Sequence, residues 1–400
     1  MKAVYFYDWL RSARARARPD GGLHDLAPHE LLNQLYAALV ARAGLDPATV
    51  GDVVLGCVTQ HGEQAGNIAK TSALYAGWPA SVSGITVNRF CSSGLDAINI
   101  AALKIAAGQD HAAVAGGIEM MSRVPMLADR AAVFSDQELA RRCRMLMMGS
   151  GADLIATLSA ASRAEIDGVA LQSQQRAARA RDNGWFRSIV PIVNPLKGIT
   201  VETDECIRAQ TTAESLARME PAFAALGAGG ADAEQLRAFA GLVVIDHLHT
   251  AGNSPAMADA AALLLLGDES TGARLGKAPR ARLLAAANAC DDPLLVVSGC
   301  VAATAKLMRT QGLCSADIDL FELHEAFAAT VIKARRDLDI PDEKLNVNGG
   351  VIALGHPLGA TGAIMAGTLL DEMERRDLKR GIVAASGAAG TGAALLLERV

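Results

Sequence analysis

Twice along its length the chain runs through the same alternation of short apolar runs and amphipathic segments, and that rhythm restricts it to an α/β fold. In residues 1 to 120, AVYFYD, VVLGCV and SGITVNRF read as strands. HELLNQLYAALVARAG carries apolar residues three and four apart, the period of a helix with one buried face, and NIAKTSALYAG reads as a second helix. A third helix follows Cys91, and AAVAGGIEM closes the series. From about residue 254 the pattern returns. DAAALLLLGD and RARLLAAANAC are strand-type runs, CVAATAKLMRTQG is helical, DIDLFEL is a strand and EAFAATVIKARRDL a helix. The long helix GATGAIMAGTLLDEMERR then leads to GIVAAS and GAALLLERV, which read as a terminal β pair. The halves share an order of elements more than a sequence, as a duplicated unit would.

Residues 121–253 break the rhythm. They hold SRVPMLADRA, the Met-rich RMLMMGSGADLIA, a charged helix around QSQQRAARARDNG, and breaks such as VNPLKG and LGAGGAD. This stretch reads as an insertion on the α/β body. Its methionines read as core or loop packing, or else as the flexible wall of a ligand pocket. The expected division is therefore 1–120, 121–253 and 254–400. With 51% hydrophobic residues among 400, more than one packed unit is expected.

A net charge of −5, with both signs spread along the chain, leaves no basic field for a nucleic-acid backbone, and a 4% aromatic content argues against base stacking. The seven cysteines are odd in number and form no CxxC pair, which speaks against a metal motif and against a disulfide framework and for a reducing, cytoplasmic setting. No apolar run reaches the ~18 residues of a membrane span. RSARARARPDGG follows a strand-like run and reads as a surface loop, with an anionic ligand as the alternative role for its arginines.

Four stretches carry chemistry. In VNRFCSSGLDAINIAALKIAAG, Cys91 precedes a helix that opens with Ser92, Ser93 and Gly94. A thiol there meets unpaired N–H groups and the positive helix end, both of which lower its pKa. The plain alternative is a small buried hydrophobe. In NVNGGVIALGHPLGATGA, glycines 349, 350, 355, 359 and 362 crowd His356 at the mouth of a helix beginning near Ala360. Imidazole is the group suited to take a thiol proton near neutral pH. In FELHEAFAAT a strand ends at His324–Glu325, where α/β folds collect catalytic groups. His324 could donate to an oxyanion, while Glu325 reads equally as a charge at a helix start. AASGAAGTGAALLLERV places Ser386 in a glycine-rich turn that a tight hairpin explains unaided.

Taken together and in order, these stretches resemble the thiolase family, the acyl-CoA acetyltransferases. NRFCSSGLDA resembles the nucleophile motif, HEAF the motif more often seen as NEAF, and NGGVIALGHPLGATGA the GHP motif. GGIEMMSRVPM, AGNSPAMADAA and LLLERV extend the similarity over essentially the whole chain. The resemblance implies two βαβαβαββ-type halves in a five-layered α-β-α-β-α body with an inserted loop domain that binds the coenzyme and makes oligomer contacts. It implies an acyltransferase working on coenzyme A thioesters, with no tightly bound cofactor and no metal, as a homodimer or homotetramer. Cys91 would be the nucleophile and His356 its activator. His324 would complete an oxyanion site, Ala326 and Phe327 would line the pantetheine tunnel, and the N–H near Ala388 would join that of Cys91 at the acyl carbonyl.

The sequence departs from the family pattern in two places. The second cysteine of the family's C-terminal CxG motif falls on Ser386, and the motif's glycine on Ala388. A thiol titrates near about 8.5 and shuttles protons at neutral pH, whereas a hydroxyl needs a base of its own. Another thiol beside Ser386, from Cys300 or Cys290, would restore the relay. Pro255 takes the place of a serine near the pantetheine arm, with Ser254 adjacent. Acyl transfer onto Cys91 is thus expected, with carbanion chemistry impaired or rewired. The alternatives are a decarboxylating condensing enzyme that uses Cys91, His324 and His356, and a thiolase-fold subunit without thiolysis.

Overall fold

A computed structural model describes residues 2–400. The chain opens with β1 (Tyr5–Arg11) and the short β2 (Ala15–Arg16). Helix α1 (Pro28–Ala43) starts on a proline, which needs no N–H partner at a helix start, and stops at Gly44 in the left-handed region, φ 66°, with its N–H returned to Val40. β3 (Asp52–Gly56), α2 (Ile68–Tyr75), β4 (Ser83–Val87), α3 (Ser93–Ala106) and β5 (Ala112–Met120) follow.

The insertion comes next, as α4 (Gln137–Cys143), α5 (Met148–Leu158), α6 (Arg163–Asp182), the hairpin β6 (Ile192–Asn194) and β7 (Ile199–Val201), α7 (Ala213–Ala217), α8 (Ala224–Leu226) and α9 (Asp232–Ala238). β8 (Ala258–Gly267) then pairs antiparallel with β5, from Ala112 opposite Gly267 to Met120 opposite Asp259, and on its other edge with β1. The expected division assigned β8 to the C-terminal part; its pairing puts it in the first sheet, whose order is β1-β8-β5-β3-β4.

After α10 (Glu269–Leu275) the second half repeats the plan with β9 (Ala281–Cys290), α11 (Gly299–Gln311), β10 (Leu320–Leu323), α12 (Ala328–Leu338), α13 (Val351–Leu354), α14 (Leu358–Arg375), β11 (Arg380–Ser386) and β12 (Thr391–Arg399). Its order is β10-β11-β12-β9, with β10 parallel to β11 and the other pairs antiparallel; in the first sheet β3 is parallel to both β4 and β5, and the β5–β8 and β8–β1 pairs are antiparallel. The counterpart of β4 is reduced to a bridge between Phe321 and Leu345. β9 touches β1 over two residue pairs, Tyr5–Arg282 and Phe6–Ala281, so the sheets meet along a narrow seam.

Helices α3 and α14 hold equivalent places in the two halves and pack together between the sheets. They approach to backbone contact, since a Cβ on Gly94 would lie 2.7 Å from the Ala363 nitrogen and 2.8 Å from the Gly359 oxygen. α1 and α2 cover the outer face of the first sheet, and α11 covers that of the second with α12 packed against it. Five layers result, as the resemblance implied. Among the described residues no helix is long and apolar enough to cross a membrane.

RSARARARPDGG is a surface loop only in part: residues 16 and 18–20 are exposed, but residues 11–15 are buried. Arg11 ends β1 and Arg14 follows it, each 1% exposed. Arg11 forks onto both Asp204 oxygens at 2.7 and 2.8 Å, and the Arg14 N–H donates to Asp204 Oδ1 at 2.7 Å. The insertion supplies the carboxylate that lets two arginines go inside, because a buried charge persists only when paired.

Candidate active site

The turn before α3 is built by its own polar side chains. Phe90 sits at φ 48°, an uncommon conformation for a bulky residue. It is held there because Asn88 Oδ1 accepts the Phe90 N–H at 2.8 Å and Ser93 Oγ accepts the Arg89 N–H at 2.8 Å. Ser92 Oγ donates to the Ala385 carbonyl at 2.8 Å and so ties the turn to β11 of the other half. Cys91 stands at the apex, partly exposed to a cavity of about 400 Å³.

His356 reaches the same cavity from the loop between α13 and α14. Gly355, φ 96°, permits that loop, and the His356 N–H donates to the Ala256 carbonyl at 2.8 Å. Nδ1 lies 2.7 Å from Thr361 Oγ1. With Nδ1–H donating to that hydroxyl, Nε2 keeps its lone pair for the cavity. His324, past the end of β10, stacks at a tilt on His356 with ring centroids 4.5 Å apart. Neither ring nitrogen of His324 has a hydrogen-bond partner among the described residues. Ser386 ends β11, where its Oγ accepts the Cys300 N–H from the first turn of α11 at 2.9 Å. Ala388, Ser254, Ala326 and Phe327 complete the set, so every residue singled out for a site role lines one cavity. The Ser254 hydroxyl is turned onto the Thr250 carbonyl at 2.7 Å.

The electrostatics revise one expectation. Cys91 is not ionised at rest: burial pushes its thiol up to about 12, and the Glu119 carboxylate adds to the rise. Desolvation outweighs the helix end here. Burial lowers His324 to about 4. It also holds His356 well below the usual histidine range, with the charges of His324 and Arg14 acting in the same direction. The resting site is therefore uncharged at its reactive groups, a neutral thiol beside two neutral imidazoles. Of the spare thiols, Cys290 is exposed on β9 and does not line the cavity. Cys300 adjoins Ser386 through its backbone, but its thiol is buried in the core and pushed up to about 11, too basic to be ionised at neutral pH.

Glu325 is structural. Its buried carboxyl accepts from Ser173 Oγ at 2.7 Å, Asn346 Nδ2 at 3.2 Å and the Ile352 N–H at 3.3 Å, clasping α6 to the second half. Of the methionines, Met147 and Met148 line the cavity while Met145 is buried in the outer core, so both readings of that cluster hold in part. Sequence reasoning missed Glu119. Fully buried in β5, it accepts N–H groups from Val58 at 2.9 Å, Thr59 at 3.0 Å and Gly359 at 3.0 Å, and the Gln64 side-chain amide at 3.0 Å. It thereby pins the loop after β3 to the first turn of α14, just past His356. A lone carboxylate inside the apolar run AAVAGGIEM was its signal. Phe134 and Phe223, also on the cavity wall, lay in stretches without a motif.

Comparison with known proteins agrees with the geometry. The thiolase N-terminal domain model matches residues 11–270 and the thiolase C-terminal domain model residues 277–399. The chain is 37% identical to the 3-oxoadipyl-CoA/3-oxo-5,6-dehydrosuberyl-CoA thiolase of Escherichia coli (strain K12), with 100% of both chains covered. It is likewise 37% identical to a 3-ketoacyl-CoA thiolase of Shewanella frigidimarina (strain NCIMB 400), again over 100% of each. The crystal structure of the Bacillus anthracis acetyl-CoA acetyltransferase superposes with a TM-score of 0.87 at 34% identity, covering 100% of this chain and 99% of that one.

Proposed function

The chain belongs to the thiolase family, and on that premise we propose that it moves an acyl group between a 3-ketoacyl-CoA and coenzyme A, with Cys91 as nucleophile and Ser386 in the place of the family's second cysteine. The carrying observation is that Cys91, His324, His356 and Ser386, drawn from both halves, line one cavity. The relatives named as 3-ketoacyl-CoA thiolases support the substrate class.

In this reading substrate displaces water from the cavity, and Cys91 passes its proton to Nε2 of His356 as its sulfur attacks the 3-keto carbon. The resting imidazole is neutral and so able to accept. The C2–C3 bond then breaks, its electron pair goes to C2, and acetyl-CoA departs once C2 is protonated by the Ser386 hydroxyl or by water. Coenzyme A then gives its thiol proton to the Ser386 oxygen or to the hydroxide left by water and adds to the acyl-enzyme carbonyl, and the Cys91 sulfur leaves and takes back the proton held by His356, so that every group returns to its starting state. The N–H groups of Cys91 and Ala388 find no acceptor among the described residues, which suits them to the acyl carbonyl oxygen. His324, with both ring nitrogens free, suits the thioester oxygen. Phe327, edge-on to Phe223 at 5.7 Å, and Ala326 and Ser254 would flank the pantetheine arm.

A homodimer or homotetramer in a reducing cytoplasm belongs to the same proposal. The exposed edge strand β4, flanked by exposed Tyr75, Ile85 and Leu103, and seven unpaired cysteines support it.

The test is intact-mass and peptide mapping after incubation with a 3-ketoacyl-CoA, without and then with coenzyme A. An acyl group on Cys91 that free coenzyme A removes is the expected result. An acyl group elsewhere, or none, refutes the reading. One observation, a hydroxyl where a thiol base is needed, favours a second reading as a decarboxylating condensing enzyme. Carbon dioxide release from malonyl-CoA by a Cys91-acylated protein that fails at thiolysis would select it.

A further inference from the structure

The cavity wall carries information about the acyl group itself. Beyond the reactive groups it is formed by apolar side chains from three directions. Met121, Met126 and Leu127 come from the segment after β5, Phe134 from further along the insertion, and Met147 and Met148 from the turn into α5. Among the described residues no lysine or arginine lines it. The one formally charged side chain on the wall is Asp129, which is exposed and negative.

Resting on the acyl-transfer reading above, we propose that this site takes 3-ketoacyl groups with an uncharged, apolar tail and rejects those ending in a carboxylate. A terminal carboxylate in this cavity would leave water without a cation or a fork of donors to receive it, and Asp129 would repel it from the exposed side. Burying an unpaired charge is the costliest desolvation a binding site imposes. Each added methylene that enters instead gains burial. Methionines line much of the wall, and their unbranched, polarisable side chains repack around tails of different length or branching. The same wall therefore predicts tolerance among apolar tails together with strong discrimination against charge.

The experiment compares kcat/KM for 3-oxohexanoyl-, 3-oxooctanoyl- and 3-oxodecanoyl-CoA with that for 3-oxoadipyl-CoA, whose chain matches the first in length and ends in a carboxylate. The apolar series is expected to rise by about fourfold per methylene until the cavity is filled. 3-Oxoadipyl-CoA is expected to fall roughly a hundredfold or more below 3-oxohexanoyl-CoA. Met126→Arg, which places a cation on the wall, is expected to narrow that gap at least tenfold by raising the 3-oxoadipyl-CoA value. Equal turnover of 3-oxoadipyl- and 3-oxohexanoyl-CoA by the unaltered protein overturns the inference and leaves acyl transfer standing. Failure of all four thioesters to acylate Cys91 overturns the underlying reading instead.

Discussion

Ser386→Cys tests the chemistry most directly. Ser386 is 1% exposed, lines the cavity and accepts the Cys300 N–H at the start of a thirteen-residue helix. A thiol there would begin near about 8.5, with the helix end drawing it down and burial, which raises both Cys91 and Cys300, pushing it up; even as a neutral thiol it is a far stronger acid toward C2 than a hydroxyl. General acid–base catalysis contributes about 10²–10⁴-fold, so C–C bond cleavage should speed up by at least ~100-fold. Sulfur is the poorer acceptor for the Cys300 N–H, a loss of about 1 kcal/mol. For a chain this long that lowers Tm by roughly 1–2 °C. The assay pairs two reactions on both proteins. Coenzyme-A-dependent cleavage of 3-oxodecanoyl-CoA breaks a C–C bond and needs the proton. Acetyl transfer from acetyl-CoA to Cys91 breaks only a C–S bond and should not change. A variant with normal acetyl transfer and normal Tm but unimproved cleavage would falsify the argument that the missing thiol limits the reaction.

Glu119→Gln turns an amide NH2 toward two of the four donors that the carboxylate accepted, since its remaining oxygen can still serve the other two, and should cost about 3 kcal/mol in urea unfolding. Because the Glu119 charge helps raise the Cys91 pKa, the same variant should alkylate faster at Cys91, a change that loosened packing elsewhere would not produce. In the unaltered, substrate-free protein the iodoacetamide rate at Cys91 should keep climbing with pH beyond 9, since the thiol titrates near about 12; a plateau at neutral pH would mean a resting thiolate–imidazolium pair. His324 binds its proton at about 4 in the folded protein and at 6.5 when unfolded, so between those values the unfolded chain holds more protons and stability rises with pH. Acidification from pH 7 to 4 should therefore remove about 3 kcal/mol through this residue, and His324→Asn should flatten the Tm profile across that window.

The features legible in the sequence are those whose cause is local. Cys91 and His356 announce themselves because a tight approach of α3 to α14 demands small residues beside each, and Gly94, Gly359 and Gly362 are written into the chain. The strands and helices of both halves follow from period, and the Ser386 departure from its place in an ordered motif. What escaped depends on partners remote in sequence. Arg11 and Arg14 look like a solvated basic loop until Asp204, far along the chain, appears beneath them. Glu119 gives one character in an apolar strand, and its role lies in four donors on other segments. The ionisation state of Cys91 was misjudged because a helix end can be read from spacing, whereas the depth of the surrounding wall cannot.

Helices α3 and α14 occupy matching positions in the two halves, and the residues just before them are Cys91 and His356. In the proposed reaction, nucleophile and base thus stand at matching positions of the two halves. Because one chain carries both halves, the two positions can hold unlike residues, which two identical units facing each other across a twofold axis could not, and the proposed sulfur-to-imidazole proton transfer depends on that difference.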